Sequence, residues 1–177
     1  MRPTGAVVAS CVLGSHIAMT RDYGRAPRGQ RVLGSVPRNR GEVTTMIGAL
    51  SIKGIRALMT VEGGTDGDMF EAFVEHFLVR KLRPGDIVVL DNVGAHKPTR
   101  IRALVEAAGA RLLFLPPYSP DLNPIELGWS KLKGVLKDLG ARTHDALDAA
   151  IRRGIDLIGA DDARAWLTHC GYEALGK

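Results

Sequence analysis

The sequence predicts an α/β fold in which helices flank a mixed sheet. Residues 87–90 and 111–115 are short apolar strands on either side of a helix at about 98–108, and a short helical crossover joins parallel strands. Residues 44–50 and 54–61 instead predict two strands joined by a tight turn, an antiparallel hairpin. The chain has 177 residues, of which 45% are apolar, so we expect one domain over residues 1–177 with a proper core.

Further elements complete this outline. Residues 6–13 predict a buried first strand, and residues 143–177 predict the C-terminal helices. A helix should begin near Thr65 or Asp66, because its apolar residues recur at helical spacing and form one stripe. That stripe consists of Phe70, Phe73, Val74, Phe77 and Leu78.

The helix that follows Asn123 has a well-defined start. Asn123 is a good capping residue, Pro124 suits the first position, and Glu126 stands third, which is the capping-box arrangement. Its apolar face should be buried, and consists of Ile125, Trp129, Leu132, Leu136 and Leu139. We expect Trp129 and Tyr118 to be packing groups rather than base-stacking platforms.

Charge is concentrated in one segment, residues 19–41, which we call the basic arm. The net charge is +5 and the pI is about 9.5. An arginine-rich segment broken by glycine and proline predicts binding to a phosphate backbone, although a solvated loop has the same composition. The arm carries one acid, Asp22, against Arg21, Arg25, Arg28, Arg31, Arg38 and Arg40; the first four are candidate DNA contacts.

The two cysteines, Cys11 and Cys170, lie at opposite ends of the chain. This is neither a zinc spacing nor a disulfide framework, so we expect reduced thiols in a cytoplasmic protein. No apolar run approaches the roughly 20 residues that a membrane span needs.

Two carboxylates lie where functional groups gather in α/β sheets. Asp91 follows one parallel strand and Glu126 follows the next, so both should lie at the same edge of the sheet. Mg²⁺ prefers such oxygen ligands, and two ions can promote phosphodiester cleavage. The sequence therefore predicts a metal site. The alternatives are that Asp91 forms a turn and that Glu126 caps its helix.

Basic side chains near these acids are further candidates. His96 and Lys97 lie in the loop after Asp91 and would contact phosphate or orient a water. Lys133, together with Lys131 and Lys137, would extend a DNA-binding surface. Ordinary loop polarity and a solvated helix face explain these residues equally well.

The same residues carry a family resemblance. Leu90-Asp91-Asn92 with His96-Lys97, and the run from Leu115 to Glu126, which reads LPPYSPDLNPIE, resemble the DDE transposases of bacterial insertion sequences in the mariner-related superfamily. The segment from Met19 to Gly29 resembles the one that follows the family's first catalytic strand. The match runs from about Met19 to Tyr172 and includes a gap of 34 residues between Asp91 and Glu126.

The resemblance implies a ribonuclease H-like fold and three acids that bind two Mg²⁺ or Mn²⁺ ions. It implies cleavage of DNA at the element ends and joining to target DNA, typically at a TA step. Asp91 matches the second acid and Glu126 the third. Relatives carry a preceding helix-turn-helix module that we do not find in this sequence, so we expect either that a separate polypeptide supplies it or that this chain is a fragment. A homodimer and a nucleoid-associated bacterial location are also expected.

The first acid does not match. In the family, an Asp-Glu pair stands eight residues before the Met-Thr-Arg, and here that count falls on Cys11-Val12. We hypothesise that residues 1–18 replace the true first strand through a frameshift, which would leave the enzyme impaired or inactive. The alternatives are a non-catalytic DNA-binding remnant and an unrelated α/β phosphotransferase with Asp91 as nucleophile.

Overall fold

The computed structural model describes residues 6–91 and 98–172. Its strands are β1 (Val7–Ser15), β2 (Thr44–Ser51), β3 (Gly54–Glu62), β4 (Ile87–Leu90) and β5 (Arg111–Phe114). Its α-helices are α1 (Gly67–Phe73), α2 (Pro98–Ala107), α3 (Pro124–Leu139), α4 (His144–Asp156) and α5 (Ala160–His169). A π-helical turn (Val74–Leu78) and a 3₁₀ turn (Val79–Lys81) extend α1, and a second 3₁₀ turn (Pro120–Leu122) precedes α3.

The five strands form one mixed sheet in the order β3-β2-β1-β4-β5. β1 lies in the centre, antiparallel to β2 and parallel to β4, while β4 and β5 are parallel. The mixed sheet, the hairpin and the parallel pair are as predicted. β4 ends at Leu90, which pairs with Ser10, and β1 continues beyond this point to Ser15. The residues of β1 that follow Ser10 therefore lie at the carboxyl end of β4.

One face of the sheet is covered by α3, with α4 and α5 packed against that helix. Trp129 of α3 is 1% exposed and lies directly over Gly48 of β2. A Cβ at Gly48 would approach the Trp129 ring to 2.5 Å. The absence of a side chain at Gly48 therefore leaves room for the indole ring and lets α3 pack closely on the sheet.

The other face is covered by α1, its π-helical extension and α2. Phe70, Phe73 and Leu78 are fully buried there against Ile47 and Leu90. Both faces of β4 are thus covered, and its four residues are all buried, as expected for a central parallel strand.

Two residues depart from the predicted buried stripes. Phe77 is 41% exposed, because the helix widens into the π-helical turn Val74–Leu78 and the residue rotates away from the sheet. Leu139 is 42% exposed, because it is the last residue of α3, directly before the left-handed Gly140.

Within the described residues, none of the helices is long and apolar enough to span a bilayer.

Replacing Gly48 by alanine is expected to destabilise the protein. The new methyl group would collide with the Trp129 ring, and overpacking of this kind costs about 1–3 kcal/mol. Urea unfolding monitored by tryptophan fluorescence measures the change.

Gly134→Ala is the matched control, since it adds the same methyl group to α3 at a site with nothing within 4 Å. There alanine should stabilise the helix by up to about 1 kcal/mol. Equal effects of the two substitutions would contradict the packing of Trp129 on Gly48.

Candidate active site

A cleft of about 410 Å³ opens at the carboxyl edge of β4 and β5. Asp91, the first residue after β4, forms one side, and Glu126 in the first turn of α3 forms another. The segment from Leu115 to Pro120 makes up the remaining wall. The two carboxylates that the sequence singled out therefore line one cavity, and both are partly exposed to solvent.

The parallel pairing of β1 with β4 brings a third side chain to these carboxylates. Ser10 pairs with Leu90, so the next residues along the two strands, Cys11 and Asp91, are neighbours. The Cys11 sulfur lies 3.5 Å from Asp91 Oδ2, and the thiol also interacts with the Glu126 side chain through a hydrogen bond. Cys11 thus occupies the position between the two acids.

The Cys11 thiol is held in its neutral form. Burial, together with a hydrogen bond to Glu126 and the negative charges of Glu126 and Asp91, raises the pKa of Cys11 far above its ordinary value. The thiol is therefore protonated at neutral pH, and its single proton is donated to Asp91 Oδ2. The cluster carries two negative charges where three carboxylates would carry three.

The structure does not form the predicted capping box on α3. Asn123 is the N-cap, but its side chain makes no capping hydrogen bond. Its Nδ2 instead donates to the Ser10 carbonyl at 3.5 Å, and its backbone N–H donates to Pro120 O at 3.0 Å. The Glu126 carboxylate is therefore not used to satisfy the cap, and it lies beside Cys11.

Asn123 is a positioning residue that the sequence analysis read only as a cap. It is 1% exposed, and its contact with Ser10 fixes the start of α3 one residue away from Cys11. Its Oδ1 is buried without a hydrogen-bond partner in the described part of the chain. Asn123 also lines the cleft. Its Nδ2 therefore holds the start of α3 on β1, while its Oδ1 is left as a hydrogen-bond acceptor at the site.

The donor set fits a divalent cation in part. Mg²⁺ is commonly bound by one or two carboxylates plus substrate phosphates, and Asp91 and Glu126 supply two. A neutral thiol contributes nothing to a hard cation. Across residues 6–91 and 98–172, no group of three or more His, Cys, Asp or Glu side chains is arranged to hold a metal ion.

Tyr118 stands at the mouth of the cleft and is fully exposed, so the expectation that it packs in the interior is wrong. Its φ is +58°, and among the described residues it is the only non-glycine residue with a positive φ. Pro116, Pro117 and Pro120 surround it in sequence. Their fixed φ angles limit the freedom of this segment, so the ring is held outward by a stiff loop.

The candidate DNA contacts differ in their surroundings. Arg21 forms an ion pair with Asp138 of α3, while Arg25, Arg28 and Arg31 are exposed and form no ion pair within the described residues. Lys133 is exposed on α3. His96 and Lys97 lie outside the described residues.

The basic arm is attached to the body at its first residues. Met19 is 8% exposed, and Arg142 donates to the carbonyl oxygens of Ile17 and Met19, each at 3.0 Å. Lys137 of α3 pairs with Asp22. The arm therefore leaves the body close to α3, with its arginines in solvent.

Comparison with known proteins decides the family. The model of the DDE superfamily endonuclease domain matches residues 13–148. The chain belongs to the DDE superfamily of endonucleases. The match begins after Cys11, so the assignment of Cys11 to the position of the first acid depends on the geometry described above.

Relatives of this DDE domain include transposases. It is 30% identical over 79 residues to the Tc1 transposase of Caenorhabditis elegans, a match that covers 45% of this chain and 29% of that protein. The chain thus spans well under two thirds of that relative.

Solved structures share the fold. A pre-cleavage Mos1 transpososome has a TM-score of 0.71 at 15% identity, covering 99% of this chain and 57% of that one. The Mos1 catalytic domain with raltegravir and Mg has a TM-score of 0.68 at 13% identity, covering 98% and 85%. The predicted ribonuclease H-like fold is confirmed by this likeness.

The conformation of Tyr118 gives a stability prediction. A left-handed conformation costs a non-glycine residue about 1–2 kcal/mol, and the exposed ring forfeits little burial. We expect Tyr118→Gly to leave the free energy of unfolding unchanged or to raise it by up to about 1 kcal/mol, as measured by urea unfolding.

Ser119→Gly is the control, since Ser119 has φ −119° and gains nothing from the freedom of glycine. It should lose about 0.5–1 kcal/mol through the entropy of the unfolded chain. A loss at Tyr118 as large as at Ser119 would argue against the strained backbone.

Proposed function

We propose that this chain is the catalytic domain of a DDE transposase whose cleavage of DNA ends is impaired because Cys11 replaces the first carboxylate. The observation that carries the proposal is the buried Cys11 thiol, which lies against Asp91 and interacts with Glu126, the two acids that line the cleft. The position beside the two acids that would bind a metal thus holds a neutral thiol in place of a third carboxylate.

Asp91 and Glu126 are the residues that would hold a divalent cation. Bound Mg²⁺ or Mn²⁺ supplies an activated water and stabilises the leaving oxygen. The two carboxylates would fix the cation over the cleft. The prolines around Tyr118 would keep the wall of the cleft in place, and the exposed arginines of the basic arm would bind the phosphate backbone.

The loss of one carboxylate weakens this arrangement in two ways. A site for two cations loses a ligand, and the charge that offsets the two divalent ions falls from −3 to −2. Neither Asn123 nor the thiol replaces that charge. Cation binding should therefore depend on substrate phosphates, and cleavage by the natural sequence should be slow.

The non-catalytic alternative shares the fold and the basic arm. It differs in assigning the chain a DNA-binding role alone, which the missing acid favours. The phosphotransferase alternative is disfavoured because it requires no partner carboxylate, whereas Glu126 lies beside Cys11 with its carboxylate free of the helix cap.

Two origins for Cys11 lead to different expectations. A frameshift would have replaced the whole strand, whereas a point change would have altered one residue. β1 pairs along its length with β2 and, over four residues, with β4. This fit supports a single lost acid, although an Asp-Glu strand found in another frame of the upstream DNA would support the frameshift.

The assembly in which the domain would act is also proposed. Solved Mos1 structures are described as paired-end, strand-transfer and transpososome complexes, and others as complexes with Mg and Mn. By analogy this chain would act on element ends and a TA target as a homodimer. A helix-turn-helix polypeptide would read the ends, and the complex would associate with the bacterial nucleoid.

The first prediction from this proposal concerns metal binding without turnover. Cys11→Asp places three carboxylates together, so the metal-free variant should melt below the natural protein through repulsion between like charges. Saturating Mn²⁺ should then raise its melting temperature by about 5–10 °C, which corresponds to about 2.7 kcal/mol at 100 times Kd. Differential scanning fluorimetry measures both changes.

Cys11→Ser is the control, because it replaces the thiol by a small polar group without a charge. Its response to Mn²⁺ should match that of the natural protein. If Mn²⁺ shifts all three melting temperatures equally, Cys11 does not occupy the site of the missing ligand.

The second prediction concerns strand cleavage. Cys11→Asp should increase Mn²⁺-dependent nicking of a supercoiled plasmid by at least about 100-fold over the natural sequence, since metal-assisted charge stabilisation contributes several kcal/mol to the barrier. Agarose gels of the relaxed product measure the rate.

Adding Glu126→Gln to Cys11→Asp removes one of the three carboxylates and should abolish the gained activity. Binding of the plasmid by Cys11→Asp without any nicking would support the non-catalytic alternative. Nicking that survives Glu126→Gln would indicate a contaminating nuclease.

A further inference from the structure

A second concavity of about 630 Å³ lies at the amino ends of β1 and β4, the opposite ends of these strands from the carboxylates. It is bounded by Ala6 before β1, by the β2–β3 turn and the start of β3, and by the segment from Arg80 to Asp86 before β4. The chain from Asp86 to Asp91 crosses the sheet once. At about 3.3 Å per residue the two cavities lie roughly 16 Å apart, so no single phosphate group contacts both.

The charge lining this concavity is strongly positive. Its single acid is Asp86, against five cationic residues: Lys53, Arg56, Arg80, Lys81 and Arg83. We call this feature the basic pocket. The basic pocket is not evident in the sequence, because its cationic residues come from two segments that only the fold brings together.

Asp86 neutralises only one of the five cations. It is 3% exposed, and its carboxylate accepts hydrogen bonds from the backbone N–H groups of Ala6 and Arg83, at 3.1 and 3.0 Å. Its remaining contact is with Arg56 Nη1 at 2.8 Å. The acid is therefore fully used in holding β1, β3 and the segment before β4 together.

The other four cationic side chains carry uncompensated charge. Lys53, Arg80, Lys81 and Arg83 form no ion pair within residues 6–91 and 98–172. Arg56 also donates to the Lys81 carbonyl, which fixes the backbone that carries them. Like charges gathered around a concave surface focus a positive potential, and a ligand with several regularly spaced negative charges relieves their repulsion.

We propose that the basic pocket is a phosphate-backbone subsite for a segment of duplex DNA other than the segment held at Asp91 and Glu126. The proposal rests on the proposed function, because it takes DNA as the ligand of this domain. A domain with phosphate contacts at both edges of one sheet would hold two DNA segments in a fixed relation. That arrangement suits a reaction that joins one DNA to another.

The test variant is Lys81→Ala/Arg83→Ala. The architecture uses only the backbone of these residues, the Lys81 carbonyl and the Arg83 N–H, so truncating the side chains preserves the Arg56–Asp86 pair. The control is Arg152→Ala/Arg153→Ala on α4, which removes the same charge from two exposed residues. Unchanged melting temperatures establish that both variants are folded.

The measurement is the affinity for a 30-base-pair duplex at several salt concentrations, by fluorescence anisotropy. Each phosphate contact contributes about 0.9 to the slope of log K against log salt. The pocket variant should therefore lower the slope by about 1.8 and weaken binding up to about 60-fold at 0.1 M salt. The control should change the slope by much less.

A third variant, Arg25→Ala/Arg28→Ala, removes two cations of the basic arm and tests whether the two surfaces are independent. Its effect should add to that of the pocket variant on the log K scale. Duplex binding that the pocket variant leaves unchanged, or changes no more than the control does, would overturn the basic pocket as a DNA subsite. Pocket-dependent binding to an RNA duplex but not to DNA would overturn it as well.

A natural protein that does not bind the duplex even at low salt would overturn both this subsite and the proposed function. If the natural protein binds the duplex and the pocket variant binds it equally well, only the subsite is overturned. Conversely, pocket-dependent DNA binding together with a Cys11→Asp variant that never cleaves would leave the subsite standing and refute the catalytic role.

Discussion

The parallel ladder between β1 and β4 is the constraint on which the site depends. Its register sets Ser10 beside Leu90 and therefore Cys11 beside Asp91. The third group reaches the same point because Asn123 ties the start of α3 to the Ser10 carbonyl. Trp129, seated on Gly48, holds the same helix at its distance from the sheet. The three side chains meet because β4 and the start of α3 both contact the same short stretch of β1.

The neutral Cys11 thiol avoids placing a third negative charge beside Asp91 and Glu126. Three carboxylates in contact repel one another unless a cation neutralises them, so a carboxylate at Cys11 would leave the metal-free fold under electrostatic strain. A neutral thiol removes that repulsion and donates to its neighbours. Under the proposed function, the same thiol stands where a metal site would need a third carboxylate.

Most of the architecture was predictable because it depends on local patterns. The short apolar run of β4, the Asp66 and Thr143 caps and the glycine after α3 each act over a few residues. The pairing of Asp91 with Glu126 followed from the rule for strand ends. Phe77 was mispredicted because a π-helical turn shifts the helical period, and periodicity analysis assumes that the period is constant.

The capping of α3 failed as a prediction for a different reason. Asn123 and Glu126 have the right spacing for a capping box, but the spacing does not show that a strand carbonyl more than one hundred residues earlier competes for the Asn123 amide. Tyr118 is expected to be a packing group, whereas in the structure it has a positive φ and is fully exposed. In both cases a tertiary contact or a backbone conformation outweighed residue type.

The distribution of charge links the two edges of the sheet. The basic arm leaves the body beside the C-terminal end of α3, where Lys137 pairs with Asp22, while the basic pocket lies at the amino ends of β1 and β4. Positive charge spread over one face would hold a single duplex at many registers, because phosphate contacts carry no sequence information. Charge separated by a rigid sheet would instead fix the relative position of two DNA segments, since β1 and β4 connect the two sites without a hinge. If both surfaces bind DNA as proposed, the sheet places the acids and also sets the spacing between those surfaces.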